Sequence, residues 1–570
     1  MKAKKRDTRK VAVERSAPVS EFWLYFIGAV AALFAAFQVY APALHGPFLF
    51  DDIYLPMNVP FWMNRPLSAW ISGVRPVLMM SYWANYHITG NESTAPYHQW
   101  NVFFHFLNAI LVYFIARKLL DFVAAPRNLA LFAAGLFLLH PLQTESVAYV
   151  TGRSECLSGI FFLGAYALFL YRRSSAISWP AALGVFALFA GALATKENTV
   201  VLPAVLLLTD YFWNPGFSFE GIRRNWRLYG PMGAGAIVGA IGAFRILGGA
   251  DSAGFAMKQL PWSHYLFTQF RVVFVYLRLF LFPAGQTVDY DLPISRTILD
   301  YGAIAGLIAI IALIAAAWYF RRRFPLACFG LLAFAIILAP TSSIIPIKDP
   351  IAEHRLYLPM LGLVLIALEC VRHLPIRTTA LAVSLGTLLL IMAVITYQRN
   401  VAWSSAVALW EDAARKSPRQ ARAHFQVAYA YFTEGRCQEA EREYATVAQL
   451  EKPDYRLLVD WALADNCLNK NEEAIAKLQQ AAAIETTADV YTNLGVLYHK
   501  TGRLDQALEA LNKAQSLDPN FEMAYFYKGQ LLASLNNAAR AEEQFRRALA
   551  INPQNQQALT ALQQLLRTRQ

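Results

Sequence analysis

The sequence predicts an all-α protein in two parts: a polytopic helical membrane domain, followed by an α-solenoid of helical repeats. Of its 570 residues, 56% are hydrophobic and only 16% are charged, which is too apolar for an average soluble protein. Long apolar runs fill the chain up to about residue 398, and the sequence then becomes polar with a helical period. We therefore place a basic arm at 1–20, the membrane domain at 21–398 and the solenoid at 399–570.

Basic clusters at the ends of the apolar runs set the predicted topology. The arm at 1–20 is rich in Lys and Arg and is expected to stay in the cytoplasm, so the first span, 21–41, leads outwards. We predict about eleven spans. The segment 264–282 carries Arg271 and Arg278 and is expected to be interfacial or re-entrant, because charge inside a bilayer is costly. The other predicted spans are 98–119, 128–140, 156–171, 179–194, 198–213, 229–247, 300–320, 324–341, 356–371 and 376–397.

This topology gathers mixed polar side chains on the external face. The first external loop, 42–97, is too long for a simple connection and carries the adjacent acids Asp51 and Asp52. Adjacent carboxylates repel each other, so such a pair indicates a metal ion, another cation or a general base. A helix N-cap or a solvated loop is the alternative without chemistry.

The soluble part contains an internal repeat with a period of 34 residues. The matched positions are Tyr491 with Tyr525, Gly495 with Gly529, Ala507 with Ala541, Ala514 with Ala548, and Pro519 with Pro553. That period is typical of the tetratricopeptide repeat, a pair of antiparallel helices. We predict about four repeats over 421–555 and a final helix at 559–566. Such repeats stack into a superhelix that commonly binds peptides; a rigid spacer or dimerisation surface is the alternative.

The cysteines give one further expectation in the soluble part. Cys437 and Cys467 could pair, and their spacing fits no metal-site pattern, so we assign them a structural role.

The order of several short motifs resembles that of a known family. The motifs are the acid pair at Asp51–Asp52, RPV at Arg75–Val77, YHxxNxxxH at Tyr97–His105, HPxxTExV at His140–Val147, GR at Gly152–Arg153, KE at Lys196–Glu197 and AEHRLYLP at Ala352–Pro359. With the repeats after the last span, they resemble the transmembrane and tetratricopeptide-repeat protein O-mannosyltransferases, which have the GT-C membrane glycosyltransferase fold. Few repeats, and AEHR where the family has AER, indicate a bacterial or otherwise divergent relative.

The resemblance implies transfer of a sugar, mannose or another hexose, from a polyprenyl-phosphate donor to a Ser or Thr hydroxyl of a protein. The donor phosphate would need cationic contacts, since an arginine fork matches a phosphate. The first candidates are Arg153 and Lys196, followed by Arg355 and Arg75.

The acid pair is the candidate catalytic group. Inversion at the sugar carbon needs a base for the acceptor proton, and Asp51 or Asp52 fits that role; the sequence does not assign which. A divalent metal at these carboxylates would assist the leaving group without being obligatory, so no cofactor is assigned.

A supporting polar set is predicted around this site. Its members are His98, His140, Glu145, Glu197, Asp289, Asp291, Glu353 and His354. Structural alternatives remain open: an Arg153–Glu155 ion pair, a Lys196–Glu197 pair that ends a helix, and hydrogen bonds inside the bundle for His98.

Three other functions compete with this one. They are a lipid- or glycan-directed transferase of the same class, a non-catalytic scaffold and a transporter, which is disfavoured because transporters place ionisable groups near mid-membrane. The net charge of +12 does not indicate nucleic-acid binding, because basic clusters flank apolar runs. We expect a multi-pass protein of a bacterial inner membrane with a periplasmic repeat domain, or of the endoplasmic reticulum in a eukaryote.

Overall fold

The computed structural model describes residues 19–173, 176–235, 254, 257 and 260–568. Within these ranges the regular secondary structure is helical and contains no β-strand, which confirms the predicted all-α class. Contacts divide the chain into two compact units. The first comprises Met1–Gln286 with Pro293–Ser405, and the second comprises Thr287–Leu292 with Ala406–Gln570.

The described part of the first unit begins with two long helices, Val19–Tyr40 and Ala95–Phe122, separated by the loop 42–97. Its first eight α-helices are α1 (Val19–Tyr40), α2 (Pro60–Met63), α3 (Leu67–Trp70), α4 (Pro76–Thr89), α5 (Ala95–Phe122), α6 (Leu129–Leu139), α7 (Thr144–Ala148) and α8 (Arg153–Arg172). The loop 42–97 is therefore partly helical, and α4 lies within it.

The remaining described helices of the first unit are mostly apolar. These helices are α9 (Trp179–Leu193), α10 (Leu202–Phe212), α11 (Glu220–Arg224), α12 (Trp262–Leu281), α13 (Ala303–Phe320), α14 (Pro325–Leu338), α15 (Met360–Arg372) and α16 (Thr378–Ala402). Short 3₁₀ helices at Phe50–Tyr54, Pro141–Gln143, Glu197–Val201 and Glu353–Leu356 carry or adjoin many of the predicted site residues.

Five helices of the described chain are long and apolar enough to cross a membrane. They are Trp23–Ala43, Ala95–Phe122, Arg153–Arg172, Asp300–Phe320 and Thr378–Ala402. Several other predicted spans form shorter helices, among them α6, α9 and α14. The count of eleven spans is therefore not confirmed and stays a prediction.

Two parts of the predicted topology fall largely outside the described residues. The basic arm at 1–20 does so, and so does most of the span at 229–247. The segment predicted to be interfacial or re-entrant at 264–282 forms one continuous helix, α12.

Helices α14 and α15 approach each other closely at two glycines. A Cβ built on Gly362 would lie 2.3 Å from the carbonyl oxygen of Gly330, and one on Gly330 would lie 2.5 Å from that of Gly362. Small residues allow this approach, as is common where helices pack in membranes. The pair therefore sets the spacing of α14 and α15.

The second unit contains the repeats. Its helices are α17 (Ala406–Lys416), α18 (Ala421–Thr433), α19 (Cys437–Leu450), α20 (Tyr455–Cys467), α21 (Asn471–Ile484), α22 (Ala488–Lys500), α23 (Leu504–Leu517), α24 (Glu522–Ser534), α25 (Ala538–Ile551) and α26 (Gln556–Arg567). From α18 to α25 they form four helical hairpins, and α26 follows as a final helix. Both features agree with the sequence prediction.

The 34-residue period has a packing explanation. A Cβ on Gly495 would lie 2.6 Å from Leu511 Cγ, and one on Gly529 would lie 2.6 Å from Phe545 Cε1. Each repeated glycine thus lets the two helices of a hairpin come together. The repeated alanines at the same interfaces, Ala507 and Ala541, are fully buried.

A disulfide joins neighbouring repeats. Cys437 at the start of α19 bonds to Cys467 at the end of α20, with a Cα–Cα distance of 6.2 Å. The pairing left open by the sequence is therefore formed, and the structural role is supported.

We predict that Gly362→Ala destabilises the first unit. Its methyl group would clash with the α14 backbone, and overpacking of this kind typically costs about 1–3 kcal/mol. Thermal unfolding of the full chain in detergent would measure the change. Gly386→Ala in α16 is the matched control, because its added Cβ would meet no atom within 4 Å. Equal melting temperatures for the two variants would contradict this account.

We also predict that loss of the disulfide weakens the repeat unit. The bond closes a loop with a sequence separation of 30 residues, for which chain entropy gives a stabilisation of about 3–4 kcal/mol. Cys437→Ser with Cys467→Ser should lower the melting temperature of the repeats, whereas Cys370→Ser, at an exposed free thiol, should not. Peptide mass spectrometry that found both thiols free in oxidatively expressed protein would argue against the bond.

Candidate active site

Asp52 is the buried member of the acid pair. It lies in the 3₁₀ helix Phe50–Tyr54 and is only 1% exposed. Its carboxylate accepts hydrogen bonds from the backbone N–H of Thr151 at 2.8 Å, from the Thr151 hydroxyl at 2.5 Å and from the backbone N–H of Leu49 at 3.2 Å. Burial raises the pKa of Asp52 to about 7, although these hydrogen bonds act in the opposite direction.

Asp51 has a different environment. It is exposed, and its backbone N–H donates to the Tyr149 hydroxyl at 2.9 Å. The Tyr149 ring packs edge-on against Phe50, with centroids 5.5 Å apart, and lies 6.2 Å from the Trp403 ring. The two neighbouring aspartates thus differ: the Asp52 carboxylate is buried and hydrogen-bonded, whereas Asp51 is exposed to solvent.

The turn that holds Asp52 is itself held by the helices beneath it. Asn101 in α5 donates to the carbonyl oxygens of Tyr149 at 2.9 Å and of Val150 at 3.3 Å. The Tyr82 hydroxyl in α4 donates to the Val150 carbonyl at 2.9 Å. Asn101 therefore has a structural role here.

The start of the loop 42–97 is fixed in the same way. His98 in α5 contacts the Gly46 carbonyl oxygen at 3.1 Å through Nε2. A Cβ on Gly46 would lie 2.4 Å from the Trp403 carbonyl oxygen, so only glycine fits there. His98 and His105 both bond inside the bundle, as the structural alternative expected; His105 contacts the Tyr357 hydroxyl and the Leu138 carbonyl oxygen.

The Arg153 side chain is buried and hydrogen-bonded to other residues of the protein. It is 1% exposed and donates to Asn101, Asn85 and the carbonyl oxygens of Ser81 and Tyr97 at 2.8–3.3 Å. Its guanidinium carbon also lies 4.5 Å from the centre of the Tyr82 ring. Most of its donors are thus used to join α4, α5 and α8, and a contact between Arg153 and a donor phosphate stays a prediction.

Two ion pairs between segments distant in the sequence are found here, instead of the pairs between near neighbours that the sequence suggested. Arg75 binds Glu197 through both carboxylate oxygens, at 2.9 and 2.5 Å, and Lys196 donates to Glu155. A backbone bond of 3.1 Å from Val77 N–H to the Ala194 carbonyl oxygen brings these segments together. Among the described residues, neither an Arg153–Glu155 nor a Lys196–Glu197 bridge is found.

Of the two cations in these ion pairs, Arg75 is the more exposed to solvent. The Arg75 side chain is 34% exposed, and that of Lys196 is 14% exposed. Burial would raise the pKa of Glu197, but the Arg75 guanidinium holds it below its usual range. Arg75 and Lys196 thus remain the candidate phosphate contacts of the four cations named from the sequence.

Arg355 is buried and holds a loop. Its guanidinium donates to the Tyr265 hydroxyl at 3.1 Å and to the carbonyl oxygens of Asp349 at 2.5 Å and Pro350 at 3.1 Å. It is 6% exposed. Its guanidinium is therefore largely used within the protein, and the expected phosphate contact at Arg355 stays a prediction.

Glu145 braces the 3₁₀ helix Glu353–Leu356. Its carboxylate accepts from His354 Nδ1 at 2.6 Å and from the Glu353 backbone N–H at 3.0 Å. Burial would raise the pKa of Glu145, but its neighbour His354 and these bonds hold it below its usual range. Gln286 Nε2 donates to the Glu353 carboxylate at 2.5 Å. The carboxylates of Glu145 and Glu353 therefore accept hydrogen bonds from backbone and side-chain groups of the protein itself.

His140 is also structural. Its Nδ1 accepts from the Leu142 backbone N–H at 3.2 Å, so Nε2 carries the proton and donates to the Phe280 carbonyl oxygen at 3.0 Å. The imidazole is therefore neutral, and its ring stacks on that of Phe280.

Asp289 and Asp291 belong to the second unit. Arg422 donates to Asp289 at 2.9 and 2.7 Å, and Arg419 donates to Asp291 at 2.8 Å. The Ser417 hydroxyl bonds the Asp289 carbonyl oxygen at 2.6 Å. These acids tie the segment Thr287–Leu292 to α18 and the turn before it, a role that the sequence did not suggest.

No ready metal site is found in the described part of the chain. It contains no group of three or more His, Cys, Asp or Glu side chains positioned to hold a metal ion. An ion at Asp51 and Asp52 would therefore need further ligands from water or substrate. A divalent metal there stays a prediction.

Sequence reasoning missed the residue that holds Asp52. Thr151 immediately precedes the Gly152–Arg153 motif but is 99 positions from Asp52, so only the fold reveals their contact. Tyr149, which receives the Asp51 N–H, was missed for the same reason.

Family models match the repeats of this chain. Tetratricopeptide-repeat models cover residues 392–455, 488–521 and 524–555. Among solved structures, MamA is 24% identical and covers 26% of this chain and 86% of its own, with a TM-score of 0.24. That score is too low to support a structural argument.

Curated relatives match both the membrane part and the repeats. The protein O-mannosyl-transferase TMTC3 of Mus musculus is 24% identical over 555 residues, which is 87% of this chain and 59% of that protein. The protein O-mannosyl-transferase F38B6.6 of Caenorhabditis elegans is 25% identical, over 73% of this chain and 61% of its own length. Human TMTC1, also named a protein O-mannosyl-transferase, is 25% identical over 74% of this chain and 55% of its own length.

This chain spans less than two thirds of the length of these relatives. The resemblance inferred from the motifs is confirmed: over most of its length the chain is similar to the TMTC protein O-mannosyltransferases, and it ends in tetratricopeptide repeats.

Proposed function

We propose that this protein is an integral-membrane glycosyltransferase that moves mannose or another hexose from a polyprenyl-phosphate donor to Ser or Thr hydroxyls of a protein. The curated relatives are named protein O-mannosyl-transferases, which supports the acceptor class and the sugar. The observation that carries the proposal is the acid pair: Asp51 is exposed on a loop that the buried Asp52 fixes in place.

The two aspartates take different roles in this proposal. Asp51 faces solvent and can reach an acceptor hydroxyl, so it is the general base. Asp52 is a positioning residue, because its carboxylate is occupied by Thr151 and Leu49.

The proposed reaction is a single displacement. The acceptor oxygen bonds to the anomeric carbon as its proton passes to the Asp51 carboxylate, and the bond from that carbon to the phosphate oxygen breaks. Polyprenyl phosphate leaves with the electron pair, with inversion at the sugar carbon. Arg75 and Lys196 would stabilise the charge that develops on the phosphate. To do so, both would exchange part of their present bonding to Glu197 and Glu155.

The disulfide supports an external repeat domain. Disulfides form and persist in oxidising compartments such as the bacterial periplasm or the lumen of the endoplasmic reticulum. The Cys437–Cys467 bond therefore supports the proposal that the second unit lies on the same side of the membrane as the acceptor. A stacked-repeat domain in that position would recruit the acceptor polypeptide along its concave face.

We predict that Asp51→Asn abolishes most transfer. Loss of a general base typically costs a factor of about 10²–10⁴. The full chain in lipid nanodiscs would be given polyprenyl-phosphate mannose and a Ser/Thr-rich peptide, and released polyprenyl phosphate would be measured. Asp52→Asn should lose less activity, because the asparagine carbonyl oxygen can still accept from Thr151.

Glu92→Gln is the matched control for this experiment. It removes an exposed carboxylate from the same external loop and should leave turnover unchanged. Turnover that survived in both aspartate variants would contradict the assigned site and favour a non-catalytic scaffold.

We also predict a pH-dependent contribution of Asp52 to stability. Its pKa is raised to about 7 by burial, against about 4 for an unfolded aspartate. Between these values the folded chain holds a proton that the unfolded chain has released. The free energy of unfolding therefore falls as pH rises from about 4 to about 7, by up to about 1.4 kcal/mol per unit, and then levels off.

In Asp52→Asn the free energy of unfolding should not show this decrease with rising pH, whereas Glu92→Gln should follow the wild type. Melting temperatures of the three proteins across that pH window would give the comparison. A wild-type curve parallel to that of Asp52→Asn would contradict the raised pKa.

A further inference from the structure

A cavity opens at the C-terminal end of α5, whereas the start of α5 contacts the turn that holds Asp52. Its volume is about 480 Å³, within the usual range of ligand pockets. Its lining comes from the ends of α5, α10 and α15 and from the segment after α13. The lining includes Phe122, Trp213, Phe217, Arg321, Arg322 and Arg372.

The length of α5 places this cavity on the opposite membrane face. Tyr97 and Asn101 near the start of α5 contact Arg153 and the turn that holds Asp52. Phe122 at its end lines the cavity. The 28 residues of α5 rise about 1.5 Å each and span about 42 Å, enough to cross a bilayer.

The cavity carries positive charge that the described residues do not balance. Arg372 is paired, since it donates to Glu369 at 3.0 and 2.8 Å. Arg321 and Arg322 have no carboxylate partner within ion-pair distance in the described chain. Two guanidinium groups at its edge are thus available to an anion.

Two buried donors in the lining also lack partners. Arg321 Nε and Trp213 Nε1 have no hydrogen-bond acceptor among the described residues. Buried N–H groups are normally bonded, so these positions indicate an acceptor that the chain itself does not supply. A phosphate is the kind of acceptor that these donors lack, and its charge would match that of the two arginines.

Aromatic rings hold Arg321 in place. Its guanidinium carbon lies 4.9 Å from the centre of the Phe217 ring and 4.3 Å from that of Trp318, and its NH1 donates to the Trp318 carbonyl oxygen. The side chain is therefore preorganised beside the cavity. An arginine retained only for membrane orientation would need none of these contacts.

We propose that this cavity binds the phosphate group of an anionic membrane lipid, on the face opposite to Asp51 and Asp52. Basic pockets between membrane helices characteristically receive anionic headgroups. Phe122, Trp213 and Phe217 would provide apolar surface for the first part of the acyl chains. This site is separate from the proposed transfer site and does not depend on it.

The test uses the full chain in dodecyl maltoside micelles with increasing mole fractions of phosphatidylglycerol, and phosphatidylcholine as the neutral control. Retained lipid would be measured by native mass spectrometry, and stability by melting temperature. We expect phosphatidylglycerol to be retained and to stabilise the wild type, and phosphatidylcholine to do neither.

The Arg triplet offers a matched control. Arg321→Gln and Arg322→Gln should each raise the half-saturating mole fraction of phosphatidylglycerol about tenfold, the usual effect of losing a charged hydrogen bond. Arg323→Gln removes the same charge from the next position, which is exposed and outside the lining, and should behave as the wild type.

Trp213→Phe keeps an aromatic ring but removes the indole N–H, so it should weaken retention without unfolding the chain. Equal weakening in all three arginine variants would mean diffuse attraction and would overturn the proposal. Stabilisation by inorganic phosphate, with no retention of phosphatidylglycerol, would overturn the lipid source and assign a soluble anion instead.

Discussion

The candidate site depends on a carboxylate that is buried within the loop between α1 and α5. Asp52 would be costly to bury alone, but Thr151 and Leu49 satisfy its oxygens, and Asn101 and Tyr82 hold the turn that carries Thr151. The loop is thereby fixed to α4, α5 and the start of α8. This fixation positions the neighbouring Asp51, whose carboxylate remains in solvent. The same interactions thus make Asp52 an anchor of the loop and leave Asp51 as an exposed carboxylate.

The sequence predicted the class of fold and the position of this loop, because both follow from patterns along the chain. Apolar runs indicated membrane helices, and a 34-residue period indicated the repeats, whose glycines pack against Leu511 and Phe545. The roles of Arg153 and Arg355 could not be predicted in this way. Both are positively charged near the predicted external face, but their partners are backbone oxygens and amides that only the fold brings together.

The same limit explains the ion pairs. Lys196 and Glu197 are neighbours, yet their side chains bind Glu155 and Arg75, which lie far away in the sequence. Asp289 and Asp291 were grouped with the site because the topology placed them on the external face, whereas they bind arginines of the repeat unit. Membrane topology predicts on which face a charge lies; it does not predict its partner.

The most direct test of the account is the stoichiometry of transfer by the purified full chain. Polyprenyl-phosphate mannose and a Ser/Thr-rich peptide would be supplied in nanodiscs, and polyprenyl phosphate and mannosyl peptide would be counted together. The account predicts one polyprenyl phosphate released for each peptide modified, and no release without peptide. Release that proceeds without the peptide, or no release with any hexose donor, would contradict it.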